Sequence, residues 1–225
     1  MLTHIIFGFD GVVVQSDSFH LYVIRDILLT KKLPFDGEIY KTFFQGRRLV
    51  EAFTLYLQSF NKLGELVDCL KRKQAYDATF ADNITAYKDT LALIVEAKRT
   101  HVLAIATGTQ RVLLDAALAK FHLAYSFQVT VAAEDYMRGK PDPDAFLTAM
   151  RSMKTTPLQV LVVEDTPLGV AAAKAAQMKC LAVTHTHTID ELKEADWVTD
   201  SLAKLDLSAI TKQGDEVPPQ DADDL

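Results

Sequence analysis

The apolar positions change rhythm along the chain. His4 to Phe9 is a short apolar run closed by Asp10-Gly11, which predicts a buried strand ending in a turn. From Asp17 to about Phe80 the spacing becomes helical: Leu21, Ile24 and Leu28, then Ala52, Leu55 and Tyr56, then Leu63, Leu66, Val67 and Leu70. Pro34, Gly37, Gly46 and Gly64 punctuate that stretch into about four helices. After Asn83 helix and strand alternate. The helical stretches are Leu91 to Lys98, Val112 to Lys120, Pro143 to Met153 and Pro167 to Met178. The strand candidates are Val102 to Ala106, Phe127 to Val131, Val160 to Val163, Cys180 to Val183 and a short one at Trp197-Val198. Such alternation predicts an α/β fold, a Rossmann-like parallel sheet with helices on both faces. Residues 1–15 and 84–211 form the expected core, residues 16–83 a helical insertion, and residues 212–225 an acidic, proline-containing tail with no assigned role.

Composition narrows the partners. A chain of 225 residues with 24 basic and 30 acidic side chains carries a net charge of −6, which argues against a nucleic-acid backbone. A local cationic pocket for a small phosphorylated molecule remains compatible with that charge. No apolar run reaches the roughly 18–20 residues of a membrane span, and the start MLTHIIFGFDG lacks the pattern of a cleavable leader. Cys69 and Cys180 are far apart and read as two reduced, buried thiols of a cytoplasmic protein. A monomer is the expected state.

In open parallel sheets, sites form outside the carboxyl ends of the strands. Here those ends carry Asp10-Gly11, Thr107-Gly108-Thr109 and Glu164-Asp165-Thr166, and a loop after the Phe127–Val131 candidate carries Arg138-Gly139-Lys140-Pro141. Carboxylates suit a hard cation, and hydroxyls, backbone amides and a lysine suit phosphoryl oxygens. Each feature has a plainer reading. Asp10-Gly11 alone is a turn, Lys140 a surface lysine, and Thr107-Gly108-Thr109 a helix N-cap that also binds an anion. Asp142 and Asp144 read as helix-start residues, and Lys71-Arg72-Lys73 as a solvated helix face. His185 and His187 have metal-pair spacing but no further ligand nearby in sequence, so a polar loop is the better reading.

The segments IIFGFDGVVV, LAIATGT, RGKPDPDAF and VLVVEDTPLGVAAAKAA resemble, in order and spacing, the signature motifs of the haloacid dehalogenase-like superfamily. Gly-Lys-Pro-Asp-Pro and Glu-Asp-Thr-Pro-Leu-Gly-Val are similar to its β-phosphoglucomutase-like branch, and the insertion is placed like that family's helical cap. The resemblance implies an aspartyl-phosphate mechanism, a magnesium ion and a phosphatase of small phosphorylated metabolites. By the same resemblance Asp10 is the acid/base and offers its carbonyl to the metal. Thr107 holds the phosphoryl group, with Gly108 and Thr109 beside it, and Lys140 neutralises it. Glu164 and Asp165 form the acidic metal pair. His20, Arg47 and Lys73 are implied substrate contacts at the cap. Gln15 stands where the family commonly has a carboxylate.

One position departs from the pattern decisively. The nucleophilic aspartate of the first motif falls on Gly8, which has no side chain to attack phosphorus. Asp10 is placed for proton transfer on a different line. The expectation is therefore a phosphatase by lineage with little or no turnover. The alternatives are a non-catalytic phosphometabolite binder or sensor, or a sugar phosphomutase.

Overall fold

The computed structural model describes residues 1–203, 205–207 and 210. The acidic tail at 212–225 lies outside them. Among the described residues the main sheet is six-stranded: β1 (His4–Phe7), β4 (Val102–Ala106), β5 (Val129–Val131), β6 (Val160–Glu164), β7 (Lys179–Val183) and β8 (Trp197–Thr199). Its order is β5-β4-β1-β6-β7-β8, with every pairing parallel. A short antiparallel pair, β2 (Val14–Gln15) with β3 (Thr85–Ala86), stands apart from it.

Strand alternation builds a core on each face of the sheet. Ile5 and Phe7 of β1, Leu103 and Ile105 of β4, and Leu161 and Val163 of β6 join one apolar cluster. Ile6, Ala104, Ala106, Val160 and Val162 join the other. Buried on both faces, these strands read as continuous apolar runs, and for that reason the sequence displays them clearly.

Between β2 and β3 the chain is helical: α1 (Asp17–Thr30), α2 (Gly37–Ile39, running on into a wider π turn at Tyr40–Phe44), α3 (Leu49–Ser59) and α4 (Leu66–Gln74). The remaining helices are α5 (Lys88–Ala97), α6 (Arg111–Lys120), α7 (Asp144–Ser152), α8 (Pro167–Ala175) and the short α9 (Ile189–Leu192).

The structure departs from the sequence reading in detail. Strand β5 begins two residues later than the Phe127 to Val131 run, with Phe127 packed edge-on against Phe7 at 6.1 Å. The β2–β3 pair gave no sequence signal, because two residues are too few for periodicity.

Candidate functional site

Strand β1 lies between β4 and β6, so their carboxyl ends emerge side by side. Phe7 is in register with Ile105 on one side and Val163 on the other. Asp10, Thr107 and Glu164-Asp165 follow those ends directly. Lys140 arrives on the loop between β5 and α7. The helical insertion closes the top.

These groups line one pocket of about 100 Å³. Asp10, His20, Arg47, Lys73, Thr107, Gly108, Thr109, Lys140, Glu164 and Asp165 are all part of its wall, so the sequence-expected residues converge. Gly8 is not part of that wall.

Asp10 is held by four side chains. Its Oδ1 accepts from Ser16 Oγ at 2.6 Å and from His20 Nε2 at 3.2 Å. Its Oδ2 accepts from Thr107 Oγ1 at 3.3 Å and from Thr109 Oγ1. Burial alone pushes this carboxyl up; the hydrogen bonds from His20, Ser16 and Thr109 outweigh it and hold it well below the usual carboxylate range.

The threonine hydroxyls therefore do not cap α6 as expected. Gln110 precedes that helix with no side-chain cap, and Arg111 N donates instead to Glu134 Oε2 at 2.9 Å. An ionised acceptor draws the hydroxyls more strongly than a backbone amide does.

The opposite wall is acidic and buried. Lys140 Nζ donates to Glu164 Oε1, and the lysine lies 5.1 Å over the Phe146 ring. Glu164 Oε2 accepts from Asp165 N and from Thr166 Oγ1, each at 3.2 Å. Asp165 Oδ2 accepts from Thr186 Oγ1 at 2.5 Å, while the Asp165 carbonyl accepts from His187 Nδ1 at 3.0 Å. Burial, and then the negative charge of Glu164, raise the Asp165 carboxyl well above its usual range. Gly11 makes room for it. A Cβ at Gly11 would lie 1.8 Å from Asp165 Oδ2, and φ there is +74°, a value that favours glycine.

At position 8 the space is already taken. A Cβ on Gly8 would lie 2.8 Å from Glu164 Oε1, closer than a real Cβ approaches, and a tight 3.0 Å from Val12 Cγ2. Glu164 thus leans over the Gly8 backbone, the position at which the motif resemblance expects an attacking carboxylate. It supplies Lys140 with the negative partner that position 8 lacks.

The remaining expected contacts divide. Lys73 is buried rather than solvated, donating to Asp77 Oδ1 at 2.6 Å and to Gln110 Oε1 at 3.1 Å. Arg47 lines the pocket, and its Nε is buried without a partner. His185 and His187 diverge: His185 stacks on Tyr87 at 3.6 Å and its Nδ1 bonds the Gly11 carbonyl. Sequence reading missed Ser16, Tyr40, Thr186 and Gln110 as site-shaping groups. Tyr40 donates to Asp17 Oδ1 at 2.8 Å, and both line the pocket. Nothing in their local sequence marks them: Tyr40, Thr186 and Gln110 act through partners more than twenty residues away, and Ser16 through Asp10 across the turn.

The donor set does not fit a ready-made magnesium site. A magnesium ion takes six oxygens in near-octahedral order. Glu164 is tied to Lys140, position 8 offers no side chain, and the pocket's other carboxylates are held by hydroxyls, an amide and His20. Among the described residues no group of three or more His, Cys, Asp or Glu side chains is arranged to hold an ion.

The sequence profile of the haloacid dehalogenase-like hydrolases matches residues 5–183. The chain belongs to that family. Within it, validoxylamine A 7'-phosphate phosphatase of Streptomyces hygroscopicus subsp. limoneus is 29% identical over 203 residues, covering 89% of this chain and 94% of that protein. A (DL)-glycerol-3-phosphatase of Arabidopsis thaliana is 30% identical over 194 residues, covering 81% and 79%. Among solved haloacid dehalogenase-like folds, a β-phosphoglucomutase from Clostridium difficile superposes with a TM-score of 0.84 over 94% of this chain and 96% of its own, at 22% identity. Both of these sequence relatives are phosphatases of small phosphorylated metabolites, and the family fold is the one the sequence motifs implied. No helix among the described residues is long and apolar enough to cross a membrane.

Proposed function

We propose that this haloacid dehalogenase-like chain is by lineage a phosphatase of small phosphorylated metabolites, and that with glycine at position 8 it binds phosphate without forming the aspartyl-phosphate. The division into a core (1–15 and 84–211) and a cap (16–83) is part of this reading. So are a cytoplasmic setting and a monomeric state. One observation carries it: Asp10, Thr107, Lys140 and Asp165 line a single pocket while Glu164 covers the backbone of Gly8.

In this reading Thr107, the amides around Gly108 and Thr109, and Lys140 receive the phosphoryl oxygens. Asp10 is oriented by Ser16, His20 and Thr109 to exchange a proton with an ester oxygen. His20, Arg47 and Lys73 lie toward the part of the substrate beyond the phosphate. Magnesium remains the cofactor of the lineage. The family pattern assigns it to Asp10, Glu164 and Asp165, and with Glu164 tied to Lys140 and no carboxylate at position 8 that set is not assembled as a fitted site here. No attacking side chain stands on the line to phosphorus, so the covalent step is missing.

Gly8 itself favours the reading as a non-catalytic binder over that of a mutase. The test is hydrolysis of 4-nitrophenyl phosphate with magnesium by the unaltered chain and by Gly8→Asp. Restoring the carboxylate should raise the rate by on the order of 10³-fold or more. It must also displace Glu164, a shift a flexible side chain can make. Equal and enzymatic rates in both chains would sink the proposal. Phosphate binding with no turnover in either would leave a binder.

A further inference from the structure

The loop that leads into Lys140 is tied to the helical insertion, while the lysine itself bonds Glu164. The loop before Lys140 exposes successive backbone amides. Those of Met137 and Arg138 are satisfied within the core by Asp144 Oδ2, at 2.8 and 3.3 Å. The next, Gly139 N, donates across to the cap, to Glu51 Oε1 at 2.9 Å. Beside it Arg48 Nη1 donates to the Met137 carbonyl at 2.8 Å and reaches Glu51 Oε1 at 3.3 Å. The Arg48 guanidinium also lies 5.0 Å over the Tyr136 ring.

Position 139 is shaped for this contact. A Cβ there would lie 2.1 Å from Glu51 Oε2 and 3.1 Å from Arg48 Cδ. The same cap segment presses on the phosphate turn: a Cβ at Gly108 would lie 3.3 Å from Arg48 N. One stretch of cap thus touches the Lys140 loop and the Thr107 turn together.

We propose that Arg48 and Glu51 are positioning residues, a cap-borne latch that sets the loop bearing Lys140, so that cap closure and preparation of the phosphate lysine are one event. The consequence for affinity rests on the phosphate-binding reading above; the latch itself does not. With the cap open, Gly139 N loses its acceptor and the Lys140 loop loses a tie.

The test compares the unaltered chain with Glu51→Ala, Glu51→Gln and Gly139→Ala. Amide exchange at Gly139 is followed by NMR, and inorganic phosphate binding by calorimetry. Glu51→Ala should speed Gly139 exchange about tenfold and weaken phosphate about tenfold, the scale of one lost hydrogen bond to a charged group. Exchange at Val162, deep in the sheet, should stay unchanged, which general destabilisation would not allow. Glu51→Gln keeps an acceptor oxygen and should restore most of both effects. Gly139→Ala keeps both charges, forces the Glu51 carboxylate to move off the loop by its Cβ and should reproduce the weakened phosphate binding. Unchanged Gly139 exchange in Glu51→Ala, or Glu51→Gln behaving as Glu51→Ala, overturns the latch. A chain that binds no phosphate overturns the proposed function, and the latch then stands or falls on exchange alone.

Discussion

Asp10 and Asp165 face one pocket under opposite electrostatics. Asp10 is surrounded by donors, and its carboxyl is held low. Its contribution to stability is therefore present above the ordinary value of 3.8 and is lost as pH falls below it. Asp165 is buried beside Glu164, and its carboxyl is held high. Its sign is reversed: it costs stability at neutral pH, and the cost shrinks as acidification protonates it on the way down to 3.8. Removing that charge should help the metal-free protein. Asp165→Asn keeps an acceptor for Thr186 and should raise unfolding stability at pH 7 by about 1–3 kcal/mol, measured by urea denaturation. The gain should vanish under acid conditions. A loss at neutral pH would mean that Asp165 is already compensated. At this scale the sequence was partly legible. Asp10, Thr107, Lys140 and Asp165 stand next to turns and strand ends, where chemistry collects. That Glu164 turns over Gly8 depends on side-chain packing, which no motif encodes.

Among the elements, α8 shows how local signals and the site share residues. Pro167 opens the helix, and Thr166 Oγ1 caps it by accepting from Gly169 N at 3.0 Å. The same hydroxyl donates to Glu164 Oε2 at 3.2 Å. Thr166→Ala should cost about 1–2 kcal/mol in thermal or chemical unfolding, and Thr166→Ser should recover most of it. If the alanine variant unfolds like the parent, the cap bond contributes nothing. Helix α8 was legible from its Thr-Pro start and alanine-rich body. The N-terminus of α6 was misread, since Thr107-Gly108-Thr109 has the composition of a cap but turns its hydroxyls toward an aspartate some hundred residues away. Propensity describes near neighbours, and a distant charge outbid them.

For the whole molecule, the sheet order places β1 at the centre and gathers the ends of β4 and β6 around it. Alternating apolar runs made that architecture legible. Their order across the sheet was not, because periodicity says nothing of which strands become neighbours. If position 8 is where the lineage places a metal carboxylate, as proposed, metal linkage should report it. Millimolar magnesium should raise the melting temperature of Gly8→Asp clearly and that of the unaltered chain little. The gain should reach about 1.4 kcal/mol where the ion is about ten times its Kd. Equal shifts in the two chains would show that position 8 contributes nothing to metal binding.

The two-residue pairing of Val14 with Ala86 and Gln15 with Thr85 has an architectural meaning. It brings the points where the chain leaves and rejoins the sheet layer side by side. A tight reverse turn can therefore bridge them in place of every helix between. A shortened chain joined at that seam should retain the six parallel strands, read by circular dichroism and cooperative urea unfolding; a molten or aggregating chain would show that the apolar cluster the insertion shares with the sheet is needed beneath it.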